Sequence, residues 1–174
     1  MKDLPHVTSI LRPYMNLDWV KQEHLERGQR RHQSYASHLL GTWAPPLPPE
    51  DQGALDSFRR WADQYVLKTW FIEQPLVDED LGYAGTIDFG GELTICPGVV
   101  IDWKPPSGKG PITRAQVISY LKLVQKNKWP VKMGAILRID PQGGIATLEW
   151  VMENDVAWTG FLSALNAHRY FNAK

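Results

Sequence analysis

The apolar pattern of this chain changes period near residue 66, and that change limits the folds open to it. Up to Val66 the apolar residues recur at helical spacing, as Leu55, Phe58, Trp61 and Tyr65 do between Asp51 and Val66. Beyond it, Thr69–Glu73, Tyr83–Phe89 and Val99–Trp103 are short β-branched or aromatic runs divided by Gly, Pro and Asp clusters, and they read as strands. In the helical part, Thr8 is placed to cap a short helix holding Ile10 and Leu11. A longer helix over 18–40 carries Leu25 and Leu39–Leu40 and stops at Gly41. The proline-rich Ala44–Pro49 reads as a rigid connector. After the three strands, Pro111 and Thr113 open a helix that runs to about Lys128, with Val117, Leu121 and Val124 on one face and Pro130 as its stop. Val131–Ile139 and Ile145–Met152 read as a hairpin across Asp140–Gly144. Asn154 or Asp155 caps a last helix with Trp158, Leu162 and Leu165. This order predicts an α/β (α+β) fold, a mixed central sheet flanked by helices. Residues 1–66 form its helical part and 67–174 its sheet-containing core, within a single domain 1–174.

Composition agrees with a folded chain of that size. It has 174 residues, 43% hydrophobic and 22% charged, the proportions of a globular protein. Eight tryptophans need a core or a stacking surface to occupy. The lone Cys96 excludes an internal disulfide and any four-cysteine metal site, and it is given no role. No apolar run reaches the roughly 18 residues of a membrane span, and Met1–Ile10 lacks the apolar stretch of a signal peptide. The expectation is a soluble, intracellular protein.

Net charge is zero, which argues against a protein that coats nucleic acid without selectivity. The charges are nevertheless segregated. Glu73, Asp78, Glu79, Asp80, Asp88, Glu92 and Asp102 fall in a stretch without Lys or Arg. Lys104, Lys109, Arg114, Lys122, Lys126, Lys128 and Lys132 follow in a stretch without Asp or Glu. Such blocks suit divalent cations and a polyanion respectively, or else form two solvated faces that attract each other. Asp78, Glu79 and Asp80 fall at a turn and read as solvated loop.

Gly85-Thr-Ile-Asp88 and Val100-Ile-Asp102-Trp-Lys104 carry the most chemical information. Strand residues two apart point the same way, so Asp102 and Lys104 share a face and Trp103 takes the other. If the strands of Asp88 and Asp102 pair, two carboxylates and an ammonium converge. Paired carboxylates taken out of water are costly, and a divalent cation relieves that cost. Hard oxygen ligands suit Mg²⁺ or Mn²⁺. A nearby lysine orients or helps deprotonate an attacking water and offsets charge developing on a phosphate. The plainer reading of Asp102-x-Lys104 is a surface salt bridge at a strand end.

The order Gly28-x-x-x-His32, Glu73, Gly85-x-x-Asp88, Asp102-x-Lys104 and Gln116-x-x-x-Tyr120 resembles the PD-(D/E)XK nuclease superfamily, in particular its RecB-like exonuclease branch. The opening Pro5-His-Val-Thr-Ser-Ile-Leu11 resembles the start of phage-type members and of mitochondrial genome maintenance exonucleases. The resemblance runs from about Pro5 to Leu123 and implies a restriction-endonuclease-like core with added N-terminal helices. It implies Asp88 as the central metal ligand, Asp102 as the second carboxylate, and the Trp103 backbone carbonyl and His32 as further ligands. One or two Mg²⁺ or Mn²⁺ ions would bind there. Lys104 is implied as the catalytic lysine and Glu73 as an acidic residue supporting the site. Gln116 and Tyr120, four apart on one helix face, would reach a phosphate or position Lys104. Gly28 would let its helix approach the sheet closely. Each also has a plainer reading: His32 or Gln116 as surface residues, Tyr120 as core, Glu73 as a strand-end charge.

The activity implied is a metal-dependent deoxyribonuclease, an exonuclease on DNA ends or single strands in recombination, repair or replication. The alternatives are a structure- or sequence-specific endonuclease, and a DNA- or partner-binding module without turnover. DNA is the implied partner, tracked by Arg114, Lys122 and Lys126, with Trp43 or Trp129 as candidate stacking platforms. The implied location is the cytoplasm of a bacterial or phage-infected cell. A protein partner and the oligomeric state stay open. Two departures stand out: Lys104 is followed by Pro105-Pro106 where the family has Thr or Ser, and His6 replaces a small serine. Ser107–Gly110 lacks the first glycine of a P-loop, and no Gly-x-Ser-x-Gly elbow is present. The lone cysteine excludes the iron–sulfur version of the branch.

Overall fold

Pro49 with Glu50 and Asp51 behind it suits the first turn of a helix, where a missing N–H costs nothing and negative charge meets the helix dipole. The computed structural model places a helix there, and it describes residues 4–15, 22–107, 110–152 and 155–172. The helices are α1 (Val7–Leu11), α2 (Gln22–Leu40), α3 (Pro49–Tyr65), α4 (Pro111–Lys126) and α5 (Asp155–Asn172), with a 3-10 turn at Arg12–Tyr14. The strands are β1 (Val66–Asp78), β2 (Tyr83–Leu93), β3 (Cys96–Lys104), β4 (Met133–Arg138) and β5 (Thr147–Val151). They form one five-stranded sheet in chain order. Every pairing is antiparallel except that of β3 with β4, which needs a crossover, and α4 supplies it. The fold is α/β, a mixed sheet flanked by helices.

α2 ends as expected at Gly41, whose φ of 64° lets Thr42 N–H reach the Ser37 carbonyl at 2.9 Å. Four expectations need correction or fall away. Thr8 does not cap α1: His6 holds the cap position, and Thr8 lies inside the helix. β1 is longer than Thr69–Glu73 because it continues from α3 without a loop and tolerates Pro75 as an edge strand. Asp78 is not solvated; it is buried at the end of β1 and accepts the Leu81 N–H at 2.9 Å. The residues expected to cap α5, Asn154 and the side chain of Asp155, lie outside the described residues.

Alternate strand residues divide between two apolar clusters. Val100 and Ile136 join Leu121, Leu123 and Phe161 on the α4/α5 side. Ile101, Trp103 and Leu137 join Tyr35, Phe58 and Trp61 on the α2/α3 side. Each fully buried large side chain is worth about 1.5–3 kcal/mol relative to exposure, so both layers hold the sheet. Among the described residues, no helix is long and apolar enough to cross a membrane.

Candidate metal and phosphoryl-transfer site

β2 and β3 pair in one register from Gly91 opposite Val99 to Phe89 opposite Ile101. One step further would set Asp88 against Asp102. There the Asp88 side chain takes over the ladder: its Oδ2 accepts the Trp103 backbone N–H at 2.7 Å. The face alternation slips at the same point, since Ile87 lies on the α4 side and Phe89 on the α2/α3 side although both are odd-numbered. Opposite on β1, Glu73 has φ 47°, a left-handed conformation that a side chain with Cβ adopts only when its surroundings enforce it. Backbone irregularity in both strands therefore coincides with the two carboxylates.

α2 brings His32 to the same place. Its Nδ1 lies 3.3 Å from Glu73 Oε1 and 3.6 Å from Asp88 Oδ1, and its ring stands edge-on to Trp103. One donor atom from each of His32, Glu73 and Asp88 falls within 4.8 Å of the others, a grouping that one cation can bridge. On the other side of Asp88, Lys104 Nζ donates to Asp102 Oδ1 at 2.9 Å and stands 2.8 Å from Oδ2. α4 adds Gln116, whose Nε2 lies 3.2 Å from Asp102 Oδ1 and 3.0 Å from the Tyr120 hydroxyl. Gly85 is needed for this, because a Cβ there would come within 2.8 Å of the Tyr120 ring. All these side chains line one cavity of about 220 Å³.

Burial pushes the Asp88 carboxyl up to about 7; His32 and Lys104 oppose this, and Asp102 and Glu73 add to it. For His32, burial alone would lower the pKa, but Asp88 and the Glu73 hydrogen bond outweigh it and the net shift is upward. Lys104 follows the same logic: burial lowers, Asp102 and Asp88 raise more, and the ammonium persists at neutral pH. Burial also raises Tyr120, which keeps its phenolic proton. The site thus holds protons that a cation would displace. Asp102 Oδ2 is buried, and the Lys104 ammonium faces it at 2.8 Å.

The residues singled out in the sequence are not all gathered here. His32, Glu73, Asp88, Asp102, Lys104, Gln116 and Tyr120 line the cavity; Arg114 and Lys122 do not. Arg114 pairs with Glu149 at 3.1 Å, and Lys122 sits 5.9 Å over the Trp158 ring. Lys126 pairs with Asp80, Trp129 packs against Phe71, and Trp43 is exposed. Trp103 meets Asp88 through its amide. Gly28 does not mediate a close approach, since an added Cβ would meet nothing within 4 Å. Sequence reasoning also missed that His6 and Thr8 line the cavity. The signal for them was the Pro5-His-Val-Thr opening, which is anchored where Ala84 N–H meets the Pro5 carbonyl at 3.0 Å.

No protein-family model and no curated protein matches this chain. Among solved structures, that of SSO0001 aligns with a TM-score of 0.47 at 14% identity, covering 96% of this chain and 75% of the other. An alkaline exonuclease, LHK-Exo from Laribacter hongkongensis, aligns at 0.45 and 11%, covering 95% and 89%. LHK-Exo in complex with dAMP aligns at 0.43 and 12%, covering 97% and 87%. Likeness of this degree says nothing of activity.

Proposed function

We propose that this protein is a metal-dependent deoxyribonuclease that hydrolyses phosphodiester bonds, working as an exonuclease on DNA ends or single strands. The observation that carries the reading is the convergence of His32, Glu73, Asp88, Asp102 and Lys104 in one cavity. An imidazole and two carboxylates within bridging distance, with Asp102 beside them, fit one or two hard divalent cations, Mg²⁺ or Mn²⁺. His32, Glu73 and Asp88 would hold the first ion. Asp102 and the Trp103 carbonyl complete the ligand set that the sequence suggests. A bound cation of this kind supplies a water of lowered pKa and polarises a phosphoryl oxygen.

The chain's own groups do the rest. The Trp103 amide fixes one Asp88 oxygen and leaves the other turned toward His32. Lys104, held by Asp102, would donate to the oxygen on which negative charge accumulates. Gln116 holds Asp102 in place, and Tyr120 offers its hydroxyl proton to a phosphate oxygen. Arg114, Lys122 and Lys126 would meet the strand outside the cavity along α4. The whole chain, 1–174, would act as a single nuclease domain in the cytoplasm.

The test is cleavage of end-labelled single-stranded, linear duplex and closed circular DNA in Mg²⁺, Mn²⁺ and EDTA. Metal-dependent loss of ends but not of circles supports the exonuclease, whereas nicking of circles makes it an endonuclease. Lys104→Ala should cost at least about 100-fold in rate while leaving the fold intact, by the usual worth of one transition-state donor. Undiminished cleavage by Lys104→Ala would overturn the assignment.

A further inference from the structure

α1 is held firmly for so short a helix. Val7, Ile10 and Leu11 are buried in the core. The chain before them is tied to β2, where Ala84 N–H meets the Pro5 carbonyl at 3.0 Å and His6 bridges Ala84. The residues on either side of Val7 behave differently. His6 and Thr8 are exposed, and both line the cavity that holds Asp88, Asp102 and Lys104. Their backbone is therefore fixed while they stand at the rim.

His6 occupies the N-cap of α1, where Ser, Thr, Asp or Asn normally accepts an orphan helix N–H. Its side chain makes no such bond. Only its carbonyl is engaged, by Ile10 N–H at 2.9 Å and Ser9 Oγ at 2.7 Å, and its ring has no polar partner among the described residues. A cap residue that does not cap forgoes local stability, and such departures gather at functional positions. The cavity supplies the reason. Its volume of about 220 Å³ lies below the roughly 300–1,000 Å³ of pockets that enclose an organic ligand. It has room for a phosphate and leaves the attached nucleoside at the rim, where an exposed imidazole on a rigid backbone can lie against a base.

We propose that His6 is a substrate-binding residue whose ring stacks on the base of the nucleotide whose phosphate enters the cavity. That this phosphate is the one cut rests on the nuclease reading; the base contact itself does not. A base inside a duplex has both faces covered by its neighbours, so the contact selects a single strand or a strand end.

Binding is read by fluorescence anisotropy in Ca²⁺, under conditions where the probes are recovered intact. The probes are labelled oligothymidylate and an abasic oligomer of the same length. His6→Ala should weaken oligothymidylate binding about tenfold, within the range for one base–aromatic contact, and abasic binding by less than about twofold. Equal losses on both probes put the contact on the backbone and overturn the stacking; no loss on either overturns it too. His6→Ser separates this role from a structural one. It restores a helix cap, so the urea midpoint should rise while oligothymidylate binding falls about tenfold. A midpoint and an affinity that fall together overturn the stacking, since binding then follows the fold. In Mg²⁺, His6→Ala should raise KM more than it lowers kcat, and a loss confined to kcat would overturn it. If the wild-type protein cuts no DNA in any metal yet His6→Ala shows the base-dependent loss, the nuclease reading falls and the contact stands. Normal cleavage, with every His6 variant binding like wild type, removes the contact alone.

Discussion

The helix that brings Gln116 and Tyr120 to the cavity buries Val117, Ile118, Leu121, Leu123 and Val124 against the sheet and α5. The helix that brings His32 buries only Ser34 and Tyr35. It is tied instead by Arg27, Arg30 and Arg31 to Asp51 and by His38 to Asp63 at 2.8 Å. α4 is thus anchored by apolar area, which salt does not screen, and α2 largely by charge, which salt weakens where it is exposed. The difference separates two jobs within one cavity. The α4 side orients Asp102 and Lys104 rigidly, while the α2 side delivers the imidazole and stays responsive to ions.

The largest effect expected from breaking this contrast lies on the packed side. Leu121→Ala should cost about 2–5 kcal/mol in urea unfolding, the usual range for a buried leucine. A loss below about 1 kcal/mol would show that packing does not anchor α4. Next comes His32→Ala, which should lower Mn²⁺ affinity by at least the roughly 10–100-fold typical of outer-sphere changes. Gln116→Ala, which touches the ligand set through Asp102, should lower it less. Calorimetric titration reads both, and equal losses would erase the distinction between the two arms.

Acidity sharpens the contrast further. Asp88 is raised to about 7 by burial, and His32 is raised because Asp88 and Glu73 outweigh its burial. Both bind protons more tightly folded than unfolded. The stability Asp88 contributes is therefore present at low pH and is lost as pH climbs from about 4, the ordinary aspartate value, through about 7, and that of His32 is lost only above its ordinary value of about 6.5. Metal-free protein should unfold at progressively lower urea across that window, and saturating Mn²⁺ should flatten the slope. A metal-free stability that rises with pH there would contradict the assignment. The smallest effect belongs to Arg114→Gln. Its pair with Glu149 is exposed, so the loss should stay within about 1 kcal/mol. Glu149 is held below the usual carboxylate range chiefly by its hydrogen bond with Arg138, so its contribution is present near neutrality and fades as pH falls. A larger loss on Arg114→Gln would make this corner structural.

Much of this was legible along the chain, for a physical reason. Helix and strand periods are local, so α3, α4 and the β4–β5 hairpin could be read from spacing and turn residues alone. Asp102 and Lys104 share a face because a strand alternates. Gln116 and Tyr120 share one because a helix turn is close to four residues. Other features follow from no local pattern. The left-handed φ at Glu73 depends on β2 lying across from it and His32 standing over it. The placement of Asp78 was misread because its partner, the Leu81 N–H, is a backbone group that no side-chain pattern announces. Arg114 and Lys122 read as a basic track, and only the structure adds that one also pairs with Glu149 and the other also lies over Trp158, both distant in sequence.

The amino-acid order by itself determined the sequence of elements, the two carboxylates beside a lysine, and that one cysteine cannot form an internal disulfide or a four-cysteine metal site. Only the tertiary structure decided that β2 and β3 part company at Asp88 and that Glu73 rather than Asp102 stands with His32 and Asp88. Those outcomes are set by contacts between residues tens of positions apart, where packing and the desolvation of charge, not periodicity, choose the neighbour.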